Sequence, residues 1–303
     1  MTTRHIILEE QGLRDGLQTL SIQIPVAKKI EWIKQLISAG LTRLQVTSFV
    51  HPQQVPQMAD AEKLVQMLPD NKDVTFSALV LNKKGVQRAI DSGIKHLAIS
   101  LSASDTHSRK NANKSIQEAK QEFKEMVSLA LQNGITVRGG IQCAFGCRYE
   151  GAIDEQKVYD LVNHHLQTGI QELALADSTG MANPVQVKRM MQTITEISGS
   201  TPVALHLHNT ENKGYANLCA ALQAGVSQFD TAFGGLGGCP FIKGATGNIA
   251  TEDTVHLLQQ MGYSTNIQIK KVAAVSLEME NLIGSKLPGL LYPMVFRDDI
   301  KII

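Results

Sequence analysis

The chain has 303 residues, 43% apolar and 19% charged, a balance that supports a large globular core. Lysine and arginine number 29 against 28 acids, for a formal charge of +1, and there is a single Trp. Near-neutrality and few aromatics argue against a nucleic-acid or membrane-surface protein, which needs a concentrated basic field or stacking platforms.

Strand-like alternation appears at residues 6–10, 44–49, 74–80, 97–102, 137–144, 173–177, 203–208 and 229–233. Five of these runs follow a small residue, a glycine and an apolar residue: Ala39-Gly40-Leu41, Ser92-Gly93-Ile94, Asn133-Gly134-Ile135, Thr168-Gly169-Ile170 and Ala224-Gly225-Val226. Glycine there suits the left-handed residue that ends a helix. Helix starts are marked by Pro25, by Asn183-Pro184, and by Ser115 with Glu118 three residues on, a capping box. Eight strands alternating with helices predict an α/β fold, a (β/α)8 TIM barrel. An open doubly wound sheet ranks behind it, because no Gly-x-Gly-x-x-Gly turn follows the first strand. Further helices are expected from about Glu252 and around residues 269–283, then a tail from Lys286. The expected organisation is one catalytic domain over 1–303, with the barrel at about 5–262 and a helical extension at about 263–303.

The N-terminus enters its first strand without a signal-like apolar region, and no apolar run approaches a membrane span. Cys143, Cys147, Cys219 and Cys239 are too sparse for a disulfide scaffold, and Cys143 and Cys147 lack a second Cys or His pair for structural zinc. The expectation is a cytoplasmic protein with neither membrane nor nucleic-acid partners.

Catalytic groups in such barrels sit at the C-terminal ends of the strands. The first strand runs into Arg14-Asp15, a cation beside a hard oxygen ligand. In Leu205-His206-Leu207-His208, period two places both imidazoles on one face, into the barrel mouth, and both leucines on the other. Asp177 closes the sixth strand as a general base, an orienting group, a substrate binder or a cap for the next turn. After the eighth strand, Gly234-Gly235-Leu236-Gly237-Gly238-Cys239 combines glycines that allow close backbone approach with a potentially reactive thiol, and Asn248 offers an amide oxygen. Asp15, His206, His208 and Asn248 form a mixed nitrogen and oxygen set without thiolate, which favours Mg2+ or Mn2+ ahead of Zn2+. A Schiff-base aldolase would need a lysine in the mouth, and no strand end presents one.

The motifs Arg14-Asp15-Gly16-Leu17-Gln18, Thr47-Ser48-Phe49-Val50, Val55-Pro56-Gln57-Met58, His206-Leu207-His208, Gly235-Leu236-Gly237-Gly238-Cys239-Pro240 and Gly247-Asn248-Ile249-Ala250-Thr251-Glu252-Asp253 resemble the 3-hydroxy-3-methylglutaryl-CoA lyases, with similarity from about residue 6 to 264. The resemblance implies cleavage of a 3-hydroxyacyl-CoA by retro-Claisen chemistry into acetyl-CoA and a keto acid. It implies Asp15, His206, His208 and Asn248 as ligands of a divalent cation, and Arg14, Asp177, Cys239 and Glu252 as catalytic groups. Arg14, Gln18, Gln45, Ser104 and Asn111 are the implied substrate contacts, and a homodimer the implied assembly. Three departures stand out: Gln45 where the family usually has Glu, Thr19-Leu20-Ser21 for Asn-Glu-Lys, and Asn209-Thr210-Glu211-Asn212 for Asp-Thr-Tyr-Gly. They predict retained lyase chemistry with a changed acyl group or a changed efficiency, the substrate being 3-hydroxy-3-methylglutaryl-CoA, cleaved to acetyl-CoA and acetoacetate, or a close analogue. A related aldolase or Claisen-type synthase, and a catalytically impaired binding homologue, are the alternatives.

Overall fold

The computed structural model describes residues 4–237 and 247–297. The eight alternating runs form β1 (Ile7–Glu10), β2 (Arg43–Ser48), β3 (Thr75–Val80), β4 (His96–Ser102), β5 (Thr136–Gln142), β6 (Glu172–Asp177), β7 (Val203–Leu207) and β8 (Gln228–Thr231). Each pairs in parallel with the next, and β8 closes on β1, so the expected (β/α)8 barrel is the observed fold. Around it lie α1 (Val26–Ser38), α2 (Ala61–Gln66), α3 (Lys83–Ser92), α4 (Asp105–Ala112), α5 (Ile116–Gln132), α6 (Glu155–Gln167), α7 (Pro184–Ser198), α8 (Gly214–Gln223), α9 (Thr251–Gln260) and α10 (Ile269–Ile283).

The local signals act as their chemistry dictates. The five pattern glycines all take positive φ, from 69° at Gly134 to 100° at Gly40. Ser115 and Glu118 cap α5 reciprocally, and the Asn183 side chain accepts from Gln186 N ahead of Pro184. Pro25 sits one place before α1 rather than in its first turn. β8 ends at Thr231, short of the expected residue 233, because Phe233–Gly235 turns tightly with Gly234 at φ 59°.

Side chains alternate along the strands. Leu97, Ile99, Leu173, Leu175, Leu205 and Leu207 belong to the buried apolar core, while Ala98, Ser100, Gly140, Ala174 and Ala176 line the inside of the mouth. Small inward residues leave room where bulkier ones would fill the barrel. A Cβ on Gly140 would lie 2.2 Å from Ser100 Oγ. The result is a cavity of about 510 Å3 at the C-terminal ends of the strands.

Beyond α10 the chain returns to the turn after β8. Gly289 N donates to Gly234 O at 2.7 Å, and Leu290 and Leu291 N–H groups donate to the Asp253 carboxylate. Among the described residues, no helix is long and apolar enough to cross a membrane.

Candidate active site and metal centre

β1 delivers its functional pair through an unusual turn. Gly12–Gly16 winds as a single π-helical turn in which Gly16 N reaches back to Gln11 O, a wide turn often found at functional sites. Gly12 is required there: a Cβ would lie 2.5 Å from the Phe233 ring and 2.7 Å from Glu10 Oε1. The turn buries Arg14 and Asp15 side by side. Arg14 Nη1 donates to Asp15 Oδ1, Nε to Gln45 Oε1, and Nη2 to Gln11 Oε1 at 3.0 Å. Gln18 Nε2 adds a second bond to Asp15 Oδ1 at 2.9 Å. Burial opposes ionisation of Asp15, but Arg14, a hydrogen bond from His208 and the charge of His206 outweigh it and hold the carboxyl well below its ordinary range.

Strand β7 brings in the imidazoles as the alternation predicts. His206 Nε2 and His208 Nε2 are 3.0 Å apart, and His208 Nε2 lies 3.7 Å from Asp15 Oδ2. Asn248 joins them because the chain at 247–249 pairs with the end of β7: Asn209 N donates to Gly247 O and Ile249 N to Leu207 O. Asn248 Nδ2 donates to Asp15 Oδ2 at 2.8 Å and to Leu236 O at 3.0 Å. Gly237 passes so close that a Cβ would meet Asn248 Nδ2 at 2.6 Å, so this stretch of the glycine-rich loop has no space for a side chain. Cys239, the expected proton-transfer thiol, lies outside the described residues.

Gln45 reaches the cavity at an irregularity in β2, where the pairing with β3 shifts register between Gln45 and Thr47. Arg14, Asp15, Gln18, Gln45, Asn111, His206 and His208 all line the cavity, joined by Lys110. Four expected residues among those described do not: Asn248, which bonds to the lining residue Asp15, and three others. Ser104 is buried as the cap of α4, its hydroxyl accepting from His107 N. Asp177 sits behind the wall, accepting from Met181 N at 3.0 Å and Ala182 N at 3.2 Å. Burial pushes its carboxyl up to about 6 against the pull of these N–H groups and of His208. Glu252 faces the other way, accepting from Gly234 N at 3.0 Å and from Ser276 Oγ, and burial raises its carboxyl to about 7. It holds the turn after β8 from outside. Sequence adjacency to the loop gave no information on which way these side chains point.

Beneath the cavity lies a layer that the sequence reading missed. Arg43 bridges Glu9 and Glu172, and Arg138 bridges Glu9 and Asp230, at 2.7–3.0 Å. Asp230 Oδ2 in turn faces His206 Nδ1 at 3.2 Å. The available signal was charged residues inside otherwise apolar strands.

An eight-stranded parallel barrel whose mouth gathers two imidazoles, a carboxylate and an arginine has the makings of a barrel enzyme with a metal site. The chain belongs to the HMGL-like family, whose model matches residues 5–278. It is 38% identical over 286 residues to hydroxymethylglutaryl-CoA lyase YngG of Bacillus subtilis, covering 94% of this chain and 96% of that one. It is 39% identical over 298 residues to the (R)-citramalyl-CoA lyase of Chloroflexus aurantiacus, covering 93% and 94%. An HMG-CoA lyase from Acinetobacter baumannii, solved with coenzyme A and 3-methylmalate, superposes with TM-score 0.93 at 37% identity, covering 99% and 98%. These relatives are carbon–carbon lyases.

The family implies a divalent cation, and the residues fit one. Ligand atoms of Asp15, His206 and His208 all lie within 4.8 Å of one another, and all three residues are buried. Asn248 Oδ1 is buried with no hydrogen-bond partner, which is costly for an amide oxygen unless something electropositive meets it. Two imidazole nitrogens 3.0 Å apart match neighbouring donors on one ion with bonds of ~2.0–2.2 Å.

Proposed function

We propose that this chain is a divalent-metal-dependent lyase that cleaves a 3-hydroxyacyl-CoA thioester, releasing acetyl-CoA and a keto acid. The observation that carries this reading is the cluster of Asp15, His206 and His208 beside Arg14 in one cavity, with an unpartnered Oδ1 on Asn248, whose amide is bonded to Asp15. In the reaction the hydroxyl proton passes to a basic group in the cavity, and the O–H electron pair forms the ketone carbonyl. The bond to the carbon next to the thioester breaks, and that carbon keeps the pair as an enolate until it is protonated. Mg2+ or Mn2+, held by one carboxylate, two imidazoles and one amide oxygen, supplies Lewis acidity and a template for the hydroxy acid.

The chain's own residues do the rest. Arg14 is fixed by Gln45, Asp15 and Gln11, so its remaining N–H groups meet an oxygen gaining charge without reorganising. Because Arg14 only donates, Gln45 must turn its oxygen to it, which leaves Nε2 facing the cavity as a donor for a substrate oxygen. A glutamate there would present an acceptor. Gln18 steadies Asp15, while Lys110 and Asn111 on α4 serve the thioester arm at the rim. Cys239 on the glycine-rich loop returns the proton to the enolate carbon. The acyl group is that of 3-hydroxy-3-methylglutaryl-CoA or its citramalyl analogue, one methylene shorter between carbinol carbon and carboxylate. The family resemblance adds a homodimer to this reading, and the sparse cysteines add a reducing cytoplasm.

Protein stripped with a chelator and resupplied with Mg2+ or Mn2+ should release acetyl-CoA from one of these two thioesters, and release none while metal-free. No release from either thioester with either metal would overturn the reading.

A further inference from the structure

Asp230 is a buried acid that no motif or resemblance above accounts for. It stands on β8 directly in register with His206 on β7. Its two oxygens have different partners. Oδ1 accepts from Arg138 Nη2 at 2.8 Å, and Oδ2 faces His206 Nδ1 at 3.2 Å. Arg138 is itself held, with Nη1 donating to Glu9 Oε2 at 3.0 Å, so Asp230 cannot turn without stranding a buried guanidinium. A carboxylate paired this way accepts and does not donate. The ring hydrogen of His206 therefore belongs on Nδ1 and its lone pair on Nε2, which is the nitrogen aimed at His208 Nε2. His208 has no such partner, since its Nδ1 is buried without a hydrogen bond.

We propose that Asp230, locked by Arg138, is the positioning residue that sets the tautomer of His206 and so keeps Nε2 open to the divalent cation. The inference rests on the metal-site reading above, and it adds which residue makes the site competent. It also makes the two histidines unequal: a carboxylate behind the ring presets His206, whereas nothing behind His208 meets its Nδ1.

Two substitutions separate this role from simple packing. In Asp230→Asn, the Arg138 donor claims the amide oxygen, so the amide NH2 meets His206 Nδ1 and drives the hydrogen to Nε2. Asp230→Ala neither accepts nor donates and leaves the tautomer unbiased, although it removes more contact. Mn2+ titrated into the metal-free proteins should then bind most tightly to wild type, next to Ala and most weakly to Asn. The Asn variant should lose about 10–100-fold in affinity. A packing role predicts the reverse order of Ala and Asn, the order their melting temperatures should follow. Nitrogen-15 spectra of the metal-free wild type should show His206 protonated on Nδ1, a readout independent of whether either variant folds. An Nε2–H tautomer in wild type, wild-type affinity in Asn, or affinities that track melting temperature would overturn the proposal. Wild-type protein that bound no Mn2+ at all would instead sink the metal-site reading itself.

Discussion

The barrel interior carries two sets of buried polar residues, and they are built on opposite rules. Toward the strand starts, Glu9, Arg43, Arg138 and Glu172 alternate in sign, and every carboxylate meets a guanidinium. Burial opposes ionisation of Glu9 and Glu172, yet the guanidinium charges of Arg138 and Arg43 and the nearby His96 bring each carboxyl down to about 2. At the mouth, ligand atoms gather instead: two imidazole nitrogens 3.0 Å apart stand beside the Asp15 carboxylate, and Asn248, bonded to Asp15, keeps an unpartnered Oδ1. The first arrangement balances its charges within the protein; the second gathers the donor set of a cation. Asp230 belongs to both, with one oxygen on Arg138 and the other on His206. Buried polarity alone does not mark a functional site. Metal-ligating side chains drawn together in a cavity do.

The contrast predicts that the two regions fail differently. His208→Ala should lower kcat by roughly 10^4-fold, on the order of 5 kcal/mol, because one ligand of the Lewis acid is gone. It should cost the metal-free fold only about 1–2 kcal/mol. Steady-state kinetics beside urea unfolding would show it, and equal losses in both would break the contrast. Arg138→Met should reverse the balance, destabilising the fold by about 3–5 kcal/mol because it strands part of Glu9 and Asp230 in a dry interior. A melting curve indistinguishable from wild type would mean the layer is not the structural element described here.

Two smaller effects sharpen the boundary between regions. Gln45→Met keeps length but can neither donate nor accept, and should lower kcat/KM by about 10–100-fold through loss of a hydrogen bond to a charged oxygen. Unchanged kcat/KM would remove Gln45 from the site. Glu252 tests the other side of the wall. Its folded carboxyl near 7 lies above the ordinary 4.5, so its contribution to stability is fully present below pH 4.5 and lost as pH rises through about 7. Glu252→Gln can still accept from Gly234 N and donate to Ser276 Oγ. It should therefore gain on wild type by on the order of 1–3 kcal/mol between about pH 4.5 and 8.5, with kcat at neutral pH changed about twofold or less. A large fall in kcat at unchanged stability would return Glu252 to the chemistry.

Much of this was legible in the residues themselves. Glycine at the helix ends and period-two alternation located eight strands to within about two residues, because both signals are local. The His206 and His208 pair was legible for the same reason: two positions on one strand share a face whatever surrounds them. Asp230 was not legible, because its meaning depends on the register of β8 against β7, which no local pattern encodes. Arg138 showed only as a residue of the strand-like run 137–144, without the partners that explain it. Ser104, Asp177 and Glu252 lie close in sequence to the mouth but point away from the cavity, and direction around a turn is set by packing. The departure at Gln45 was visible as a changed letter. That Arg14 fixes which end of the amide faces substrate required the structure.

The central claim is met most directly by anomalous diffraction from crystals of this protein soaked in Mn2+. The account predicts one strong peak in the mouth, bonded by Asp15 Oδ2, His206 Nε2, His208 Nε2 and Asn248 Oδ1, with coordination positions left open toward the cavity. Density bonded by other side chains, or no peak at a concentration that saturates binding in solution, would contradict it.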